Sequence, residues 1–247
     1  MTSTMDTRRP IALMGIINAT PDSFFAQSRY NFAILDDMPD IVDIGAVSTR
    51  PGSTAPSEEE EWQRLEPVLK AVSGRFPISI DTYRAGIVQR AYDLIGEFTV
   101  NDISAGEDDS MMLPLVGKLG LPYVAMHKRG NPQTMDSLCD YDDVVEDVLR
   151  YFDEFAVKAE YNGIADWIVD PGFGFAKTKE QNLQLLDGLE RFRKFGKPVL
   201  AGVADKRFTE GDTEGIHLRA LRNGADILRV HDVKKARQTV ELYCSSI

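Results

Sequence analysis

Asn18, Asp43, Asp81, Asn101, His127, Asp170, Arg229 and His231 each close a short apolar run or stand just before its end. Carboxylates and an amide facing one cavity can read a flat heterocycle with alternating donors and acceptors, and Asp81, Asn101 and Asp170 have the right types. A 2-amino-4-oxo-pyrimidine ring offers an N–H/NH2 pair to one carboxylate and a further N–H to a second acceptor. Such sites discriminate strongly, because a wrong ligand leaves buried polar groups unpaired. In Arg229-Val-His231, strand alternation puts both cationic types on one side, a suitable clamp for a di-anion. Taken singly, each has a plainer reading: an Asp after a strand is often only a helix cap, and His231 equally suits a satisfied core position.

The runs that deliver these residues are ALMGIIN (12–18), DIVDIG (40–45), PISID (77–81), FTVND (98–102), PYVAMH (122–127), DWIVDPG (166–172), PVLAGV (198–203) and ILRVHD (227–232). Strands this apolar are buried on both faces, as parallel strands are. Amphipathic helical patterns lie between most of them, at 57–69, 84–94, 111–119, 141–161 and 179–195. The first opens on Ser57 with Glu60 three residues on, a capping-box signature. The alternating order predicts an α/β fold, a (β/α)8 TIM barrel, with residues 1–247 as a single domain. Active sites of that architecture sit where the strands end. Two crossovers look short: after the first strand only 31–38 remains for a helix, and after the seventh only 214–222.

The loops add further chemistry. Asn18 opens a Thr-Pro-Asp-Ser turn, where its amide can donate to phosphate or hold Mg2+ through oxygen. Ser48, Thr49 and Arg50 are oxyanion-binding types on a Gly/Pro-hinged loop, the planar fork of Arg suiting carboxylate or phosphate; a solvated surface loop is the alternative. In Asp170-Pro-Gly-Phe-Gly-Phe-Ala-Lys177, Phe173 and Phe175 would wall an aromatic ligand or simply pack the barrel top. Lys206 and Arg207 follow strand 7, and the loops after strands 7 and 8 are the usual phosphate site of this fold.

A formal net charge of −11 argues against a nucleic-acid surface, while a few focused cations still admit a small anion. No apolar stretch reaches the roughly 18 residues of a membrane span, and 1–10 carries no apolar signal core, so a cytoplasmic location is expected. Cys139 and Cys244 are read as small buried or tail residues without a disulfide, and His217 as a surface residue. There is no Gly-x-Ser-x-Gly elbow, His-x-x-x-His pair, Cys-x-x-Cys or dinucleotide Gly-x-Gly-x-x-Gly. The pattern is that of a protein that binds and orients rather than attacks.

In series, MGIINATPDSF, DIGAVSTRPGS, SIDTYR, VNDIS, AMHKRGNPQTM, VDPGFGFAK, DKRF and GADILRVHDV resemble the dihydropteroate synthase family over 14–233. The resemblance implies condensation of 6-hydroxymethyl-7,8-dihydropterin pyrophosphate with p-aminobenzoate, giving 7,8-dihydropteroate and pyrophosphate, with Mg2+. It implies pterin contacts at Asp81, Asn101, Asp170 and Lys206, and catalytic roles for Asp81, Lys206 and Arg229. Asn18, Arg229 and His231 match its pyrophosphate positions, Asn18 also as the metal ligand. Phe24, Thr49, Arg50, Pro51, Phe175 and Arg207 match its aminobenzoate pocket, whose aromatic edges contact sulfonamides in members of the family. A homodimer with no nucleic-acid or membrane partner is implied too. The chain departs from the family at Ala204-Asp205, where Ser-Arg is usual, and at GAVS, where GGES is common. A catalytically weak pterin-binding homologue and a methyltetrahydrofolate-dependent methyltransferase domain are the other readings. Arg229→Ala is expected from sequence to cripple pyrophosphate handling while sparing the fold, since a rim residue supports little packing.

Overall fold

The computed structural model describes residues 10–19, 32–47, 55–131, 133–204 and 206–246. Eight strands, β1 (Ala12–Asn18), β2 (Ile41–Gly45), β3 (Ile78–Asp81), β4 (Thr99–Asp102), β5 (Tyr123–Met126), β6 (Trp167–Asp170), β7 (Leu200–Ala201) and β8 (Ile227–Val230), pair in parallel in the order β6-β5-β4-β3-β2-β1-β8-β7. A single bridge, Val169 to Val199, joins β6 to the start of β7 and closes the cylinder. This is the (β/α)8 barrel expected, with strands one to three residues shorter than most of the apolar runs.

The two faces of each strand have different destinations, which is why the runs look continuous. One face, with Leu13, Val42, Ile44, Ile80, Val100, Tyr123, Val169 and Leu228, packs outward under the helices in the main core. The opposite face begins with a small apolar floor inside the barrel, made by Met14, Val124, Leu200 and Ile227, with Ile41 and Ile168 against it. Two residues beyond Ile41, Ile168 and Ile227 that face turns polar, at Asp43, Asp170 and Arg229.

The outer layer is α1 (Glu58–Val72), α2 (Ala85–Ile95), α3 (Met112–Leu119), α4 (Val144–Tyr161), α5 (Lys179–Asp187), α6 (Thr213–Arg222) and α7 (Val233–Ser245). The capping box of α1 forms as read: Glu60 N–H donates to Ser57 Oγ (3.2 Å) and Ser57 N–H to Glu60 Oε2 (2.8 Å). Buried Glu61 accepts from Thr82 Oγ1 (2.7 Å) and pairs with Arg84, fastening α1 to the loop after β3.

Four expectations are corrected. The 179–195 pattern is not one helix: α5 stops at Gly188, where a Cβ would lie 2.9 Å from both methyls of Val145, and a tighter 3-10 turn (Leu189–Phe195) follows. Of the 31–38 segment, the described residues 32–38 hold a 3-10 turn, Phe32–Leu35, which buries Ile34 and Leu35, and no α-helix. His217 is buried, not on the surface, because α6 turns Ile216, His217, Ala220 and Leu221 inward as one stripe. The C-terminal helix α7, which the sequence reading lacked, is capped by Asp232, whose side chain accepts from Lys235 N–H at 2.9 Å. Among the described residues no helix is long and apolar enough to cross a membrane.

Candidate active site

Strand alternation builds the site directly above the apolar floor. Asp43 stands two residues beyond Ile41, Asp170 two beyond Ile168, and Arg229 two beyond Ile227, so each shares the inward face of its strand. Asp81 and Asn101 are register partners across β3 and β4. Parallel pairing with closure thus brings residues up to 186 positions apart in sequence into hydrogen-bond contact.

Arg229 is at the centre. Its Nε donates to Asp43 Oδ2 (2.7 Å) and its Nη2 to Asp81 Oδ2 (2.7 Å). Asp43 is fully buried and also accepts from Ser79 Oγ (2.6 Å) and Asn101 Nδ2 (3.2 Å to each oxygen). A guanidinium fork suits two carboxylates approaching in its plane. The guanidinium is therefore turned down onto the carboxylate layer, whereas His231 is exposed, one residue past the end of β8.

Burial sets the proton affinities. It pushes the Asp81 carboxyl up to about 7; Arg229 opposes this, and the negative charge of Asp43 reinforces it. Asp170 is likewise raised by burial, against the Gly172 N–H and the charges of Arg229 and Lys206. Lys206 is lowered by burial and by Arg229, against the pull of Asp170 and Asp81. Burial also opposes the charge on Arg229, but Asp43 and Asp81 outweigh it and hold the guanidinium as a cation. A cluster with perturbed acids and a lysine at one barrel mouth is what a binding or catalytic centre looks like.

The loop after β6 is held by contacts the sequence did not announce. Asp170 Oδ1 accepts from Gly172 N–H (2.8 Å). Buried Lys177 Nζ donates to the carbonyls of Gly172 (2.9 Å) and Phe175 (3.0 Å) and lies 3.0 Å from His127 Nδ1. Burial depresses Lys177 to about 7 and keeps His127 well below its usual range, so the imidazole is neutral. The ring of His127 packs edge-on against Tyr151 (4.9 Å) and thus serves this anchorage. Gly172 has φ +73°, and a Cβ there would sit 1.9 Å from the His127 carbonyl oxygen. Gly172→Ala is therefore expected to lower the unfolding free energy by about 1–3 kcal/mol from backbone strain alone, with the overlap adding to it. Urea denaturation reads the loss, and a variant as stable as the parent would show that the close approach is dispensable.

The two aromatics of this loop divide their roles. Phe173 is buried and stacks on Phe208 (6.1 Å), packing the barrel top. Phe175 is half-buried, with Lys206 Nζ 4.8 Å from its ring centre. Gly174 lets this happen, since a Cβ there would crowd the Lys206 stem at 3.1 Å. Arg207 is exposed on a 3-10 turn (Arg207–Thr209), and Asn18 is exposed at the end of β1. Phe24, Thr49, Arg50, Pro51 and Asp205 lie outside the described residues. Cys139 and Cys244 are free thiols, half-buried and exposed respectively. Sequence reasoning gave no role to Asp43 or Lys177, although a lone carboxylate inside IVDIG is itself a signal: an inward charge in a buried strand needs partners.

Among the described residues no group of three or more His, Cys, Asp or Glu side chains could hold a metal ion. A Mg2+ that keeps most of its ligands as substrate phosphates and water needs only one or two protein oxygens, and exposed Asn18 fits that donor set.

The family model described as pterin binding enzyme matches residues 14–231. The dihydropteroate synthase of Synechocystis is 37% identical over 251 residues, covering 92% of this chain and 86% of that protein. Among solved structures, the dihydropteroate synthase of Xanthomonas albilineans with 4-aminobenzoic acid superposes with a TM-score of 0.87 at 35% identity, covering 97% of this chain and 94% of the other. That of Yersinia pestis, in a sulfonamide drug complex, gives 0.88 at 32% identity, covering 98% and 96%.

Proposed function

The chain belongs to the family of pterin-binding enzymes, and we infer from this and from the geometry that it is a dihydropteroate synthase, a transferase of folate biosynthesis. Its substrates are 6-hydroxymethyl-7,8-dihydropterin pyrophosphate and p-aminobenzoate. One observation carries the assignment: Asn101 and Arg229 both donate to Asp43, Arg229 bridges on to Asp81, and the charges of Asp170 and Lys206 act on the same cluster.

The chemistry follows from that layer. Asp170 and Asn101 hold the pterin by its polar edge, and Lys206 lies over the Phe175 ring beside it. The bond between the exocyclic methylene carbon and the pyrophosphate oxygen breaks, and its electron pair leaves with pyrophosphate. The resulting cation is spread over the pterin ring, where Asp81 stabilises it electrostatically. The weak aryl amine then forms the new C–N bond and gives up one proton. No activated nucleophile is needed, since orientation and exclusion of water supply much of the gain. The departing pyrophosphate is assigned to Asn18, Arg229 and His231, the first at the end of β1 and the others at the end of β8. Asn18 would hold Mg2+, which supplies charge neutralisation of the leaving group.

The aminobenzoate pocket is assigned to Phe175 and Arg207 with Phe24, Thr49, Arg50 and Pro51, and on this basis the protein binds sulfonamides. A cytoplasmic homodimer with small-molecule substrates and neither nucleic-acid nor membrane partners completes the proposal; a net charge of −11 speaks against the nucleic-acid partner, and the homodimer rests on the family resemblance.

The test is pyrophosphate release by the purified chain with both substrates and Mg2+. Turnover that needs p-aminobenzoate is expected. Pterin binding without turnover would instead identify a catalytically weak homologue, for which the Ala204-Asp205 departure is the specific ground.

A further inference from the structure

We propose that Asp43 is a positioning residue that locks the amide of Asn101 with its oxygen toward the mouth, so that the site accepts only a ligand edge that donates a hydrogen bond there. The proposal rests on the mouth being a pterin site and concerns how that site tells ring edges apart.

The geometry allows one orientation. Asp43 is fully buried and Asn101 only 4% exposed. Three donors converge on the Asp43 carboxylate: Ser79 Oγ on Oδ1 (2.6 Å), Arg229 Nε on Oδ2 (2.7 Å), and Asn101 Nδ2 between both oxygens (3.2 Å each). With donors on each oxygen, the carboxylate presents acceptors only. Turning the Asn101 amide over would put its carbonyl oxygen against two carboxylate oxygens, four lone-pair-bearing sites with no proton between them. The amide of an isolated asparagine reads donor and acceptor alike, because it can flip; this one cannot.

Asn101 Oδ1 is thereby committed to accept. A ligand that offers an N–H to it pairs, and one that offers a carbonyl or a bare ring nitrogen leaves two acceptors face to face in a dry site, weakening binding roughly ten- to a hundredfold. The same carboxylate grips Arg229, so Asp43 couples the ring-reading amide to the cation beside Asp81. Asp43 itself acts through these neighbours and is not a catalytic residue.

Equilibrium binding of pterin, of its 2-oxo counterpart lumazine and of ring-N-methyl pterins separates the possibilities. The four proteins are the wild type, Asp43→Asn, Asn101→Ala and the double variant. Wild type is expected to prefer pterin. Asp43→Asn is expected to shrink that preference tenfold or more for at least one probe, since an amide at 43 can donate to Asn101 and lets it turn. Asn101→Ala is expected to shrink it for the same probe, and the double variant to add nothing further, the signature of residues acting as one unit. Independent, multiplying losses, or an unchanged preference in Asp43→Asn, overturn the proposal. Failure of the wild type to bind pterin at all overturns the functional assignment first. Slow exchange of the Asn101 side-chain NH2 protons in the unmutated protein is a second measurement, needed if Asp43→Asn does not fold. Fast exchange, as for an NH2 turned to the mouth, overturns the proposal on its own.

Discussion

Arg229→Ala should lose both turnover and stability, contrary to the expectation that a rim residue can be removed without harm to the fold. Among the described residues the guanidinium is the one cation paired with Asp43 and Asp81, and Asp43 has no exposure to water. Removing one partner of a buried ion pair leaves an uncompensated charge and costs about 3–5 kcal/mol. The Arg229 side chain is 23% exposed, so solvent screening relieves little of this. The loss should depend on pH. Without the cation, the Asp81 carboxyl rises further above the usual unfolded value of about 4, since Arg229 is what opposes its burial. The native state then binds protons more tightly than the unfolded chain, so the stability is present at low pH and disappears as pH rises through the native value. Urea denaturation at pH 5 and pH 8 reads this: the deficit should be small at the lower pH and full at the higher. Adding Asp43→Asn should return part of the loss at pH 8, because it removes the orphaned charge. Equal stability of Arg229→Ala and the parent at pH 8 would refute the account of Arg229 as the internal counter-ion.

Asp81→Asn should do the reverse, stopping chemistry while leaving the barrel intact. The side chain reaches the mouth, and among the described residues its ion-pair partner is Arg229, which keeps Asp43 in the variant. If the carboxylate stabilises the cation left by pyrophosphate, its loss should lower kcat on the order of 10²–10³-fold. The wild-type kcat/KM for the pterin substrate should rise with pH through about 7, the value to which burial pushes this acid, because only the ionised form does the work. Asp81→Asn should lack that limb. Stability moves the other way. Asp81 holds its proton more tightly in the folded chain than in the unfolded one, so its contribution is greatest in acid and is lost as pH rises towards 7. The asparagine variant should therefore melt no lower than wild type at pH 8. A variant with undiminished kcat would remove Asp81 from the chemistry.

Much of this was legible before any coordinates, because the signals were periodic or covalently local. Apolar runs ending in Asp81, Asn101, Asp170 and Arg229 announced buried parallel strands and one functional rim. The Ser57–Glu60 box predicted a helix start from three residues' spacing, which needs no tertiary information. What remained hidden depended on packing between distant segments. Gly188 is a helix stop that the apolar periodicity of 179–195 masked, and the closeness of Val145 of α4, which excludes a Cβ there, shows only in the packed fold. His217 looked like surface because its helix had too few apolar residues to declare a stripe, and the buried face emerged only with the barrel behind it. Lys177 was read as the end of a glycine-rich loop, whereas its ammonium ties that loop to His127 on the neighbouring strand end. The downward turn of Arg229 could not be foreseen for a similar reason. Alternation tells which face a side chain occupies, but not whether carboxylates beneath it or a ligand above it will claim its fork.

The closing bridge between Val169 and Val199 has a mechanical consequence. Elsewhere the staves of the cylinder are laced by successive rungs, but β7 is two residues long and the ladder to β6 is the one bridge at the residue before it. Local opening needs the least energy where the fewest backbone bonds must be given up. That seam runs between the loops bearing Asp170 and Lys206, which flank the slot for a flat ring. The most sparsely stitched part of the scaffold thus lies beside the mouth itself, while the helical jacket outside it is continuous.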